Sequence, residues 1–269
     1  PFLILPVLTR RLSVEVYGNL TYVKTVMNFL QIFVDFGFML SATKEFAKIN
    51  QQKTTIKKST EKFEQVITNT LFARILLGLL GLIITILLCI FIPILHNNLL
   101  FTLLSYLAVF LSIFLFDFIF RGLEIIHIMT IRFIFMKTLS TLLTIFFVKQ
   151  DSQILYIPLF DIISSILAIF LVLFELKKLG LKFRRPNLKA SLASLKTSFV
   201  YFLSDISATA FNAISTIIIG LVFSSSEVAF LVSLFKSSAP FNLFSVSYQA
   251  AFIRKWFAKK VTNSLVKSF

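Results

Sequence analysis

The chain has 269 residues, 57% of them hydrophobic and only 14% charged, with a net charge of +15 at pH 7. Soluble domains carry about 25% charged residues, and several apolar runs here reach the ~20 residues that cross hydrocarbon, so an ordinary soluble enzyme is excluded. A single cysteine, Cys89, leaves no intrachain disulfide. The isolated His96 and His127, with only 7 glycines, supply no metal-ligand spacing, phosphate loop or nucleophile elbow. No cofactor, metal site or catalytic residue is expected.

The composition predicts an all-α, polytopic membrane protein with helices at 1–10, 16–42, 68–95, 99–120, 124–148, 153–176, 198–223 and 227–252. The first, "PFLILPVLTR", lacks the basic n-region and cleavage site of a signal peptide and reads as the end of a helix whose beginning is missing. The second carries Thr21, Lys24, Asn28, Gln31 and Asp35 at steps of 3, 4, 3 and 4, which puts all five on one helical face. Lys24 falls ~10 Å along the axis from Tyr17, and Lys24 and Asp35 are ~16 Å apart. The expectation is a wet cavity wall with unpaired polar positions. Arg74, Asp161 and Glu175 read as charges near helix ends that snorkel to the interface.

A second stripe, Asp205, Thr209, Asn212 and Thr216, recurs at steps of 4, 3 and 4, and the helix after it carries Lys236. Glu227 and Lys236 follow Glu15 and Lys24 by 212 residues each, in register. Such a repeat would be parallel, two lobes related about an axis along the membrane normal. Two facing lobes with polar stripes describe an alternating-access transporter.

Basic residues concentrate in three connectors: six in 43–62, seven in 177–196 and five in the tail 253–269. Even numbers of helices separate the clusters, so all three fall on one side, the cytoplasm by the positive-inside bias. Arg10 and Arg11 are the outer-side exception. The clusters read as topology determinants beside anionic lipids rather than as a nucleic-acid surface, which would interleave stacking aromatics with the charge. Four segments follow: a first lobe at 1–176, a basic cytoplasmic linker at 177–197 whose stretch 188–197 is amphipathic, the start of a second lobe at 198–252, and a basic tail at 253–269.

The stretch 4–48 carries Leu5-Pro6, Leu8-Thr9-Arg10, Tyr17-Gly18, Asp35-Phe36-Gly37-Phe38 and Ser41-Ala42-Thr43-Lys44-Glu45. With "FDFIFRGLEIIHIMTIR" (116–132) and "YFLSDISATAFNAISTIIIGLVFSSSEVAF" (201–230), it resembles the Wzx-type flippases of lipid-linked polysaccharide repeat units, in the multidrug/oligosaccharidyl-lipid/polysaccharide exporter superfamily. The chain departs from that pattern at Ile119 and Arg121, where Phe and Gln are usual, and at Asp205, where Asn is common.

The charge count places the N-terminus in the cytoplasm; the resemblance implies a fold of 12 or so spans, of which about eight would be present, and a location in the bacterial inner membrane. It implies cargo too: an oligosaccharide on undecaprenyl diphosphate, flipped for O-antigen, lipopolysaccharide or capsular polysaccharide synthesis. It also implies that helices 1, 2, 7 and 8 line the central cavity.

For such cargo the cations Lys24, Lys236, Arg10 and Arg121 suit the diphosphate, and Asn28, Gln31, Asn212 and Thr209 suit the glycan. Asp35 and Asp205 either couple a proton or sodium ion or balance charge. Polysaccharide polymerase machinery is a candidate partner. The competing readings are a drug/cation antiporter of the same superfamily, a membrane-embedded polymerase or glycosyltransferase, and a fragment that transports nothing.

Overall fold

The computed structural model describes residues 4–51 and 56–222, without the side chains of 5, 50, 51, 56–59 and 208–222. Its regular elements are all helical: α1 (Ile4–Arg11), α2 (Val14–Asp35), α3 (Phe38–Gln51), α4 (Ile56–Phe91), α5 (Pro93–Asn97), α6 (Leu99–Leu111), α7 (Asp117–Gly122), α8 (Ile126–Phe147), α9 (Tyr156–Lys178) and α10 (Leu188–Val222). Short 3-10 turns occupy Ser112–Leu115 and Asp151–Gln153.

Among the described residues, five stretches are long and apolar enough to cross a membrane: Val14–Ile49, Thr60–Phe91, Leu99–Gly122, Ile126–Phe147 and Asp151–Lys178. The all-helical, polytopic architecture expected from composition is the one observed. The span expected at 227–252 lies outside the described residues.

Two expected helices are interrupted. The run 16–42 breaks between α2 and α3, where Phe36 and Gly37 take φ of 43° and 70°. Gly37 is required twice over. The left-handed conformation disfavours a Cβ, and a Cβ there would sit 2.6 Å from the Phe202 backbone nitrogen of α10. The run 99–120 breaks at the 3-10 turn and at Phe116, φ 48°. No glycine or proline marks that second break. α4, by contrast, begins well before residue 68 and ends where Pro93 opens α5, a position proline suits because it has no N–H to donate. The amphipathic stretch 188–197 is the opening of α10 rather than a separate interfacial helix.

Polar and small residues face inward on α8 and along part of α9. On α8 the buried residues are Arg132, Ser140 and Thr144, while Ile131, Phe133, Ile134 and Phe146 are exposed. On α9, Ser164, Ser165 and Ala168 are buried and Phe170 and Phe174 exposed. Helices in lipid gain nothing by hiding leucine or phenylalanine from tails of equal polarity. They associate through small residues and polar contacts instead.

The connectors sort to two ends. At one end Lys182 N and Arg184 Nε donate to Glu64, and Asn187 N donates to Asn69, so residues 182–187 pack on α4 around Glu64 and Asn69. Hydrogen bonding to Glu64 also holds the Arg184 guanidinium above its usual pKa. At the other end Ser13 N donates to Asp151 at 2.8 Å and Arg11 donates to the Val148 carbonyl at 3.0 Å. The described parts of the two basic connectors, 43–51 with 56–62 and 177–196, therefore share one end, as the even helix count requires, and Arg10 and Arg11 lie at the opposite one.

Candidate functional site

The polar face of α2 is held by a capped, well-packed helix. Ser13 caps it by accepting from Val16 N, and Tyr22, Val23, Val26, Leu30 and Val34 bury its other side. That burial aims the opposite stripe at α6, α8 and α9, where a cavity of about 190 Å³ opens. Lys24, Asn28 and Gln31 line it from α2, Ser112 from the 3-10 turn, Lys137 from α8 and Asp161 from α9.

Most charges here are paired, but Lys137 has no carboxylate within 4 Å among the described residues. Lys24 Nζ lies 2.9 Å from Asp161 Oδ2, and the Ser140 hydroxyl donates to the other oxygen of the same carboxylate. Gln31 Nε2 donates to Ser112 Oγ at 2.7 Å and to Asp35 Oδ2 at 3.0 Å. The second Asp35 oxygen pairs with the Arg74 guanidinium. Arg74 also donates to the Ile113 carbonyl at 3.3 Å. Arg132 donates to the Leu115 carbonyl at 2.8 Å and pairs with Asp117 at 2.5 Å.

Two buried arginines thus satisfy carbonyls that the break after α6 releases from the helical ladder. An isolated charge at mid-membrane costs ~2.5–3.5 kcal/mol on insertion scales. Pairing within the bundle, rather than snorkelling, is how these residues are tolerated.

This corrects the expectation for several residues. Lys24 and Asp35 do not pair with each other, but neither is unpaired: each has its own partner on another helix. Arg74 and Asp161 are those partners and not helix-end charges. Arg74, Arg132, Asp161 and Ser140 were missed as members of the network. A signal was present on α8, where residues 132, 136, 140 and 144 recur at a step of four with Arg, Ser and Thr among them.

The remaining candidates lie elsewhere. Arg10 is exposed on α1, and Arg121 is exposed on α7; neither lines this cavity. Asp205 is half-buried on α10. The side chains of Thr209 and Asn212, and the whole of Lys236, lie outside the described residues, as does the second copy of the 212-residue repeat. Among the described residues no cluster of three His, Cys, Asp or Glu could hold a metal.

Comparisons with known proteins bear on what such an interior serves. Residues 1–253 match the family described as "Polysaccharide biosynthesis protein". The chain is similar to the "Putative O-antigen transporter" of Shigella dysenteriae, at 24% identity over 226 residues, covering 81% of this chain and 53% of that protein. The chain spans about half the length of that curated relative. No solved structure matches it significantly.

Proposed function

Since the chain belongs to the polysaccharide biosynthesis protein family, a match that runs over residues 1–253, we propose that it serves to flip a lipid-linked oligosaccharide repeat unit across the bacterial inner membrane. The cargo class is an oligosaccharide on undecaprenyl diphosphate, destined for O-antigen or capsular polysaccharide, and the mode is alternating access of two lobes. The protein acts as a carrier and not as an enzyme.

The observation that carries this reading is a cavity among membrane-length helices lined by two lysines, Lys24 and Lys137, against the single carboxylate of Asp161. Apolar cargo would need no such interior. A phosphorylated glycan needs cations for its phosphates and amide or hydroxyl donors for its sugars. Lys24 is the cation for the phosphates. Its ammonium becomes available when an incoming phosphate displaces the Asp161 carboxylate, so the two anions compete for one site. Asn28 offers its amide to the glycan, and Gln31, whose N–H groups go to Ser112 and Asp35, offers its carbonyl oxygen to a sugar hydroxyl. Asp35, Asp161 and Asp205 are candidates for a coupling proton or sodium ion. Arg10, Arg121, Thr209, Asn212 and Lys236 extend the path in the full carrier, and polysaccharide polymerase is its downstream partner.

The test is genetic complementation in a strain lacking its own repeat-unit flippase. The full-length protein restores surface polysaccharide, and its Lys24→Ala variant restores less than a tenth as much. Efflux of cationic dyes without surface polysaccharide would instead favour a drug/cation antiporter.

A further inference from the structure

A second cavity of about 490 Å³ opens at the end of the bundle where the two basic connectors meet. It lies between α3, the early turns of α4 and the early turns of α10. Lys44, Glu45 and Lys48 line it from α3, Asn69 and Thr70 from α4, and Tyr201 from α10. The break at Phe36-Gly37 separates it from the first cavity, because α2 contributes only to the first and α3 only to the second.

Its electrostatics differ from those of the mid-span network, where Lys137 is the one cation of four with no carboxylate within 4 Å among the described residues. Lys24, Arg74 and Arg132 each have a carboxylate partner. Lys44 and Lys48 have none within 4 Å among the described residues, and Glu45 offsets only one of the two charges. They stand one helical turn apart on one face, an arrangement that is mildly unfavourable for like charges unless an anion lies against them. Buried neutral donors face the same space. The Thr70 side chain is 2% exposed, and its hydroxyl has no hydrogen-bond partner among the described residues.

Asn69, 5% exposed, gives its carbonyl oxygen to Asn187 N at 3.0 Å and to Gln65 at 3.1 Å. Its amide hydrogens meet no acceptor among the described residues. The hydroxyl and amide belong to residues that line the cavity, where a ligand or water can take them. The volume falls within the roughly 300–1,000 Å³ of small-molecule sites and far exceeds what a single inorganic ion fills.

We propose that this groove is the loading site for the diphosphate headgroup of the lipid carrier, on the cytoplasmic leaflet and ahead of the mid-span cavity. Lys44 and Lys48 take the two phosphates, and Thr70, Asn69 and Tyr201 take the first sugar. The proposal rests on the carrier function above and specifies where its cargo first docks.

The experiment measures equilibrium binding of undecaprenyl diphosphate to the purified full chain in detergent, with phosphatidylglycerol and undecaprenyl monophosphate as competitors. The diphosphate is expected to bind at least tenfold more tightly than either competitor. Lys44→Gln/Lys48→Gln lowers its affinity by about tenfold or more. Thr70→Val, which keeps side-chain shape and so keeps the fold, lowers it about threefold or more. Lys177→Gln/Lys178→Gln, basic residues outside the groove, leaves it within twofold. Equal competition by phosphatidylglycerol would overturn the site in favour of a general anionic-lipid surface. So would equal loss in the Lys177/Lys178 control, or unchanged binding in the groove variants.

Because the readout is binding alone, the two ideas separate. A chain that binds with this pattern but flips nothing keeps the site and loses the carrier function. A chain that flips cargo equally well with and without Lys44 and Lys48, and binds it equally, loses only the site.

Discussion

The ammonium of Lys24 and the carboxylate of Asp161, 137 residues apart in the chain, meet at 2.9 Å between α2 and α9. The pair is partly open, with side chains 40% and 25% exposed. It therefore joins two membrane helices while remaining within reach of a ligand in the cavity. Removing one member leaves the other uncompensated. Loss of a partner from a fully buried pair costs about 3–5 kcal/mol, and partial exposure reduces that toward ~1–2 kcal/mol here. Asp161→Asn and Lys24→Met should each lower the unfolding midpoint in detergent, while the double variant should lose less than the sum of the two. Strict additivity would mean that the two groups do not interact.

Arg132 joins the Asp117 carboxylate to the Leu115 carbonyl across the helix break. A guanidinium serves two acceptors in fixed geometry, which an ammonium does not. Arg132→Lys should therefore destabilise by ~1–3 kcal/mol and Arg132→Ala by somewhat more, about 3–5 kcal/mol. Thermal unfolding followed by circular dichroism reads both. Equal stability of Arg132→Lys and wild type would show that the fork is dispensable.

How much of this could be read in advance differs by element. Membrane-length helices are legible because hydropathy is local: the runs at 124–148 and 153–176 end within three residues of α8 and α9. The break at Phe116 was not legible. A left-handed phenylalanine carries no sequence mark, and what sustains it, Arg74 and Arg132 on the neighbouring carbonyls, comes from other helices. The polar face of α2 was legible from its steps of three and four. Its partners were not, since periodicity gives a residue's face and depth but not which helix lies opposite. Asp161 could have been nominated on depth, because α2 and α9 start from the same end. The pairing itself is a property of packing.

Gly37 lies where α10 crosses the α2–α3 break, next to Ser41, whose hydroxyl sits 2.5 Å from that of Ser198. In a Cys89→Ala background, paired Ser41→Cys and Ser198→Cys substitutions should cross-link under mild oxidation. Adding Gly37→Ala should lower the yield several-fold, because a Cβ there displaces α10. Undiminished cross-linking would place the glycine's role elsewhere.

Glu64, buried on α4, receives Lys182 N at 3.1 Å and Arg184 Nε at 2.8 Å and so anchors the connector between α9 and α10. Glu64→Ala should release that connector. Trypsin should then cut after Lys182, Arg184 or Arg185 several-fold faster than in wild type, and only in membrane vesicles with the cytoplasmic face outward. Cleavage in right-side-out cells would invert the assigned orientation.

The central claim is that the polar cavity of α2, α6, α8 and α9, with its Lys24–Asp161 pair, handles phosphorylated glycan lipid during transport. The most direct measurement reconstitutes the full-length protein in proteoliposomes and follows a labelled undecaprenyl-diphosphate oligosaccharide from inner to outer leaflet, in wild type and Lys24→Ala. The account predicts rapid translocation by wild type and at least a tenfold slower rate in the variant, with folding intact by circular dichroism. Equal rates in the two proteins, or no translocation above empty vesicles by wild type, would contradict it.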